Sequence, residues 1–177
     1  MKRSHNLSRS RFGYIAASLA LIGPGSYFVV GCGGNQTVNL ILQIITVLIT
    51  RSAGGIVTLQ NATLNVPAGA VISNTEVSLQ VTSTPPASTS SYTVVPGTAF
   101  TITPASLTFS APATLTIGYK SANLPAGASA SNLVLYRITP AGAVAVPGSV
   151  VNTANYTVSA PVSALGSFVV ALTSSAI

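Results

Sequence analysis

Charged side chains are scarce in this chain, and acidic ones are almost absent. Only 5% of its 177 residues are charged, against roughly 25% in an ordinary soluble domain. Asp does not occur, and Cys32, His5 and Glu76 are each the single residue of their type. These absences exclude a Ser-His-Asp triad, a catalytic pair of carboxylates and a disulfide within the chain. Zinc and calcium sites lack ligands too, so we expect no enzyme, cofactor or metal.

The basic residues are unevenly placed. Four of the seven Lys and Arg residues lie within the first eleven positions. The other three are scattered along the chain: Arg51, Lys120 and Arg137. Nucleic-acid binding requires a basic patch that neutralises several phosphates, and three separated cations do not supply one. We therefore expect no nucleic-acid partner.

The N-terminal residues have the order of a bacterial secretory signal. A polar, basic stretch over residues 1–13 precedes an apolar run over residues 14–22, and apolar character resumes at residues 27–30 after Gly-Pro-Gly. The run is too short and too interrupted for a spanning helix, which needs about 20 apolar residues. We predict a signal peptide over residues 1–31.

A short motif ends this predicted signal. Val29, Val30 and Gly31 precede Cys32, and together they resemble the lipobox of bacterial lipoproteins. The resemblance implies that Cys32 is acylated and tethers the mature protein to the lipid bilayer. Gly33 stands where Asp favours inner-membrane retention in enteric bacteria, which implies the outer membrane of the cell envelope. A secreted protein without lipid is the alternative.

Residues 32–51 form a predicted tether followed by the most apolar stretch of the mature chain. Residues 38–50 are too few to cross a bilayer and are rich in Ile and Val, which favours a buried first strand. A helix lying on the membrane is the alternative. Such helices usually carry Lys or Arg on their polar face, and this stretch has neither.

Alternating apolar and polar residues indicate strands in the rest of the chain. In residues 76–82 the alternation directs Val77, Leu79 and Val81 inward and leaves Glu76 solvated on the outer face. Residues 114–119 and 155–159 repeat the pattern. Residues 133–138 are predicted to form a central strand and residues 166–172 a final strand. Residues 83–91 are predicted to form an exposed loop. Short strands separated by Pro, Gly and Asn predict an all-β fold, an antiparallel sandwich or barrel.

Seven short pieces of the chain follow one another in a definite order. They are GGIVT at 54–58, ATLNVPAGA at 62–70, NTEV at 74–77, FSAPATLTI at 109–117, LVLY at 133–136, PGSVVN at 147–152 and APVS at 160–163. In that order they resemble a ZU5 domain, a β-sandwich module known from ankyrins and netrin receptors and common in bacterial surface proteins. The resemblance implies a ZU5-like antiparallel β-sandwich over residues 52–177 that contacts other proteins.

Some ZU5 domains cleave themselves at a His-Phe-Ser tripeptide near the end of the domain. Leu165, Gly166 and Ser167 stand at the corresponding place, so the Ser is present and the His is not. A hydroxyl needs a proton acceptor to act as a nucleophile. We therefore expect no self-cleavage.

The leading hypothesis is a non-enzymatic, membrane-tethered envelope lipoprotein whose β-sandwich binds an envelope or extracellular protein. The alternative is a carbohydrate-binding surface module, because the surface is rich in Ser, Thr, Asn and Gln and the chain holds several Tyr residues. Tyr119, Tyr136 and Tyr156 lie in apolar strand patterns and are predicted to pack in the core. An exposed coplanar pair of Tyr rings would favour the glycan, and buried rings would favour the protein.

Overall fold

The computed structural model describes residues 43–173, which form two antiparallel β-sheets facing each other across a common core. The predicted signal peptide and lipobox lie outside these residues. The described strands are, in chain order, β1 (Ile44–Ile49), β2 (Gly55–Leu59), β3 (Ala62–Val66), β4 (Thr75–Val81), β5 (Tyr92–Val94), β6 (Phe100–Thr103), β7 (Thr108–Gly118), β8 (Leu133–Thr139), β9 (Gly142–Ala145), β10 (Val150–Asn152), β11 (Thr157–Ala164) and β12 (Ser167–Thr173). The prediction of an antiparallel β-sandwich is confirmed.

The two sheets differ in size and order. The seven-stranded sheet runs β1-β4-β6-β12-β8-β9, with β5 pairing β12 beyond the end of β6. The five-stranded sheet runs β10-β11-β7-β3-β2. Within residues 43–173, β9 therefore forms one edge of the larger sheet, and β10 forms one edge of the smaller sheet.

The alternation in the sequence sets which side chains fill the core. Val77 and Leu79 in β4 are fully buried, whereas Glu76 and Gln80, on either side of them in the chain, are exposed, as predicted. The predicted strand at 114–119 is the second half of the longer β7, where Leu115 is also fully buried. Because both inner faces carry Leu, Val, Ile and Phe, the sheets bury one continuous apolar layer.

The apolar stretch at residues 38–50 is a strand in its described part. β1 pairs with β4 along its whole length, so a membrane-lying helix is excluded for Ile44–Ile49. Ile49 is fully buried, but Leu48 is 54% exposed, so only one face of the strand is covered. The outward face of β1 meets no further layer among residues 43–173. No helix in this part of the chain has the length and hydropathy needed to cross a membrane.

The prediction for Tyr156 was wrong. Asn155 and Tyr156 lie in the turn before β11, which begins only at Thr157. Asn155 donates its backbone N–H to Asn152 Oδ1 at 3.0 Å, and Tyr156 takes the left-handed conformation with φ of 53°. Its ring lies outside the core and is 50% exposed. Tyr119 and Tyr136 are buried as predicted, at 5% and 8% exposure.

Candidate functional site

The residues singled out by the sequence do not meet in one place. Cys32 and the lipobox residues Val29, Val30 and Gly31 lie outside the described residues. Glu76 is exposed on the outer face of β4, as predicted, and it carries the only acidic side chain of residues 43–173. No group of three His, Cys, Asp or Glu residues that could hold a metal ion occurs in this range.

The first candidate site is a groove on the open side of the sandwich, between β9 of one sheet and residues 160–164 of β11 in the other. β10 pairs β11 only along residues 157–159, so residues 160–164 lie at a sheet edge. The groove has a volume of about 290 Å³. Its lining is mostly apolar and includes Val144, Val146, Pro147, Pro161, Val162 and Phe168. We call it the β9–β11 groove.

Arg137 places a cation in this groove. It lies on β8 at the alternation that points Leu133 and Leu135 into the core, and it is half-buried. Its Nη2 donates to the backbone oxygen of Leu165 at 3.0 Å, the one hydrogen bond that its side chain makes within the described part of the chain. A guanidinium has five N–H donors, so most of its donor capacity is not used by that bond.

No carboxylate neutralises Arg137 among residues 43–173. Glu76 lies on β4, and β6 and β12 separate β4 from β8. Glu76 also points to the outer face, whereas Arg137 points inward. Opposite Arg137 on β9 stands Val144, whose side chain is 56% exposed. The groove therefore combines apolar walls with one positive charge that has no counter-ion there.

The turn beside Arg137 is held on several sides. Leu165 donates its N–H to Leu107 O at 3.1 Å, and Ile102 donates its N–H to Gly166 O at 2.8 Å. With Arg137 bound to the Leu165 oxygen, these bonds fix the turn that connects β11 and β12. The guanidinium is therefore hydrogen-bonded to a backbone oxygen whose own position is fixed.

The charge pattern of the sequence does not single out Arg137, because it is one of three separated cations. The signal that marks it is positional. In Leu-Val-Leu-Tyr-Arg-Ile, the two-residue period of a strand places Arg137 on the same face as Leu133 and Leu135. A cation on the inner face of a strand is unusual, because burying a charge without a partner is unfavourable.

The second candidate site is a cleft at one end of the sandwich, with a volume of about 580 Å³. We call it the tyrosine cleft. Tyr156 stands edge-on to Tyr119, with ring centroids 5.8 Å apart and an interplanar angle of 84°. The polar side chains that line the cleft with them are those of Gln60, Asn61, Lys120, Asn123 and Asn155. An exposed aromatic ring thus lies among amides and one cation.

Two of these amides also hold the loops of the tyrosine cleft in place. Asn61 Nδ2 donates to Gly97 O at 3.2 Å and also to Gly118 O, and Asn123 Nδ2 donates to Pro96 O at 3.0 Å. Their nitrogens are used by backbone carbonyls, which leaves the amide oxygens as the groups that can accept from a ligand.

The hydroxyl of Tyr119 is enclosed and has no hydrogen-bond partner within residues 43–173. Burial, and secondly the neighbouring Tyr156, raises the pKa of Tyr119 above its ordinary value. Both effects disfavour the phenolate. Tyr119 therefore stays neutral at physiological pH and offers no charge to the cleft.

The remaining Tyr pair is part of a small second core. Tyr92 and Tyr136 stack with centroids 5.2 Å apart and an interplanar angle of 29°. They pack on Val169 and Ala171, on the outer face of the seven-stranded sheet. Because Tyr136 is buried, this nearly coplanar pair is not an exposed platform for a sugar ring.

No protein-family model matches this chain, and no curated protein matches it significantly. The ZU5 resemblance stays a prediction that rests on the ordered pieces of the sequence.

Proposed function

We propose that this protein is a non-enzymatic envelope lipoprotein, tethered to the outer membrane, whose β-sandwich binds another protein. The observation that carries the binding part is the β9–β11 groove. It is bordered by two sheet edges, and an edge strand presents backbone N–H and C=O groups to an incoming extended segment. Its apolar lining adds burial of side chains to those backbone bonds.

The proposal of a non-enzymatic role rests on which groups can exchange protons. Residues 43–173 contain no His, Cys or Asp, and their single Glu is exposed on an outer sheet face. General acid–base catalysis needs a titratable group within hydrogen-bond reach of the reacting atom. Neither the β9–β11 groove nor the tyrosine cleft holds a carboxylate or an imidazole.

Two substitutions test the tether. Cys32→Ala should abolish labelling by a palmitate analogue and release the protein from membranes of an enteric host. Gly33→Asp keeps the Cys and should retain the label while moving the protein from the outer to the inner membrane. An unlabelled wild-type protein would contradict the lipoprotein proposal. A Gly33→Asp protein that remains in the outer membrane would contradict only the proposed role of residue 33 in choosing the membrane.

A photo-crosslinking amino acid at Val144 tests protein binding in intact cells. Its matched control is the same group at Ile56, which is 60% exposed on β2 of the other sheet. We expect one discrete protein adduct from position 144 and none from position 56. Equal adducts from both positions, or none from either, would contradict binding at the groove.

The tyrosine cleft supports a second candidate, binding of a neutral glycan. The half-exposed Tyr156 ring can cover one face of a sugar while amide oxygens accept from its hydroxyls. On a glycan array, Tyr156→Ala should lose any signal of the wild-type protein. Ile72→Ala, a change at an 83% exposed residue outside the cleft, should keep it. A wild-type protein that binds no glycan on the array would exclude this candidate.

A further inference from the structure

We infer that the β9–β11 groove binds the C-terminal carboxylate of an extended, apolar peptide segment, with Arg137 as the group that receives it. This inference rests on the proposed protein-binding function and names the chemistry of the partner. It follows from three properties of the groove: its charge, its lining and its size.

The charge selects an anion of a particular shape. Arg137 is the only charged residue that lines the groove, and no acidic side chain pairs with it among residues 43–173. A planar guanidinium matches a carboxylate through two parallel N–H···O bonds. A phosphate would bring close to two negative charges against this single cation and leave one uncompensated in an apolar groove. A carboxylate leaves none.

The lining and the strand edges select a peptide to carry that carboxylate. Val144, Val146, Val162 and Phe168 offer apolar contact, and residues 160–164 offer backbone groups at a sheet edge. Pro161 has no N–H, so this edge donates fewer hydrogen bonds than an ordinary strand. A peptide can use both kinds of contact, whereas a simple fatty acid can use only the first.

The size places the end of a chain here rather than its middle. The volume of about 290 Å³ is at the lower limit of ligand pockets, which run from about 300 to 1,000 Å³. Such a space takes the last few residues of a segment. A terminal carboxylate would then meet the Arg137 guanidinium, which lines the groove.

Val144→Glu is the decisive variant. Val144 and Arg137 are directly paired across β9 and β8, a geometry that brings facing Cβ atoms to about 4.5–5.5 Å. A Glu side chain there would pair with Arg137 and occupy it from within the protein. Val144 is largely exposed, so the fold should tolerate the change. Val144→Gln is the matched control, with the same shape and no charge.

The probes are two combinatorial hexapeptide libraries built from Ala, Val, Leu, Thr and Ser. One has free C-terminal carboxylates and the other is C-terminally amidated. Both are passed over the immobilised full-length chain in detergent, bound peptides are identified by mass spectrometry, and selected peptides are titrated by calorimetry. We expect free-acid peptides to be selected and their amides to bind at least about tenfold more weakly, the loss of one charge-assisted contact. Val144→Gln removes the apolar contact of Val144 and should weaken the binding of acids and amides equally, whereas Val144→Glu should weaken the binding of the acids about tenfold further.

The other outcomes separate the two proposals. Acids and amides that bind equally at the groove would overturn the carboxylate inference and leave protein binding standing. Selection of no peptide from either library would overturn both. A wild-type dimer that Val144→Glu dissociates would assign the groove to a second copy of this chain and overturn the inference. Arg137→Gln keeps a donor for the Leu165 oxygen. It should no longer bind the free-acid peptides, while its thermal unfolding stays cooperative.

Discussion

At the scale of single residues, Gly54 has the least room for a side chain among the glycines of residues 43–173. It follows β1 and precedes β2, and it exchanges backbone hydrogen bonds with Thr50 at 2.8 and 3.2 Å. Its φ is +70°, and a Cβ added there would lie 2.1 Å from the backbone oxygen of Val66. The chain therefore passes from one sheet to the other through a point where no side chain fits.

Gly54→Ala should lower the free energy of unfolding by more than about 4 kcal/mol, because the methyl group meets backbone that cannot move aside. Gly69→Ala is the control. Gly69 has a similar φ of +76° but open space around a Cβ, so only the conformational strain of about 1–2 kcal/mol applies. Urea unfolding of both variants measures the difference. Equal losses would mean that the clash at Gly54 relaxes.

Tyr119 is a second residue with a specific consequence for stability. A buried hydroxyl without a partner costs about 1–3 kcal/mol, and Tyr119→Phe removes that group while keeping the ring. We expect Tyr119→Phe to raise the free energy of unfolding by about 1 kcal/mol. Tyr156→Phe, on the half-exposed partner ring, should stay within about ±0.5 kcal/mol. A Tyr119→Phe protein less stable than the wild type would contradict the prediction that this hydroxyl is unsatisfied.

The same residue predicts a change at alkaline pH. Burial raises the pKa of Tyr119 in the folded protein above the value of the unfolded chain. The contribution of the neutral Tyr119 side chain to the free energy of unfolding is then complete below the unfolded pKa of about 10. It is lost as pH rises through the folded pKa. Tyr119→Phe should therefore show a shallower loss of stability than the wild-type protein in urea melts above pH 10.

At the scale of elements, hydroxyl pairs take the place that ion pairs have on most sheet surfaces. Five cross-strand pairs of Ser or Thr side chains lie 2.7–3.2 Å apart: Thr46–Ser78, Thr58–Thr63, Thr82–Thr101, Thr101–Ser167 and Thr116–Ser159. Such pairs each stabilise a sheet by about 0.2–1 kcal/mol without any charge. This is how a chain with so few charged residues still forms solvated outer faces.

The register of β4 and β7 gives a prediction at this scale. Leu79→Ala and Leu115→Ala should each lower the free energy of unfolding by about 2–5 kcal/mol, because both side chains are fully buried between the sheets. Gln80→Ala, on the outer face beside Leu79, should change it by no more than about 0.5 kcal/mol. Similar effects of Leu79 and Gln80 in urea melts would refute the register.

At the scale of the whole molecule, the packing of the sheets places Ser167 away from any base. Its Oγ lies 2.9 Å from Thr101 Oγ1, and neither hydroxyl can accept a proton at neutral pH. Thr101 pairs with Gln80 on β4, and Glu76 lies four residues further along that strand. At about 3.4 Å per residue Glu76 is about 14 Å further along the sheet, and two strands away as well.

We therefore expect no self-cleavage between Gly166 and Ser167. General acid–base assistance is typically worth about 10²–10⁴-fold in rate, and no group supplies it here. Intact-mass spectrometry after prolonged incubation of the purified protein should find the chain unbroken. A fragment beginning at Ser167 that disappears in Ser167→Ala would contradict this and restore the self-processing role.

The sequence by itself determined the class of fold, the inward and outward faces of its strands, and the chemistry that the chain lacks. Alternation with period two identifies the buried face wherever a strand contacts one core, so Val77, Leu79 and Leu115 could be predicted without coordinates. The missing acidic residues and imidazoles limit chemistry in the same direct way.

Only the tertiary structure decided which edges stay open and which side chains meet. Alternation says that Arg137 faces inward, but the groove exists because β9 and residues 160–164 of β11 lie at edges on the same side of the two sheets. Likewise the apolar pattern around Tyr156 predicted a strand, and the turn held by Asn152 placed the ring outside instead. The groove depends on pairing between segments distant in the sequence, and periodicity within one segment contains no information about its neighbour. The position of Tyr156 depends instead on where the β10–β11 hairpin reverses, which alternation does not specify.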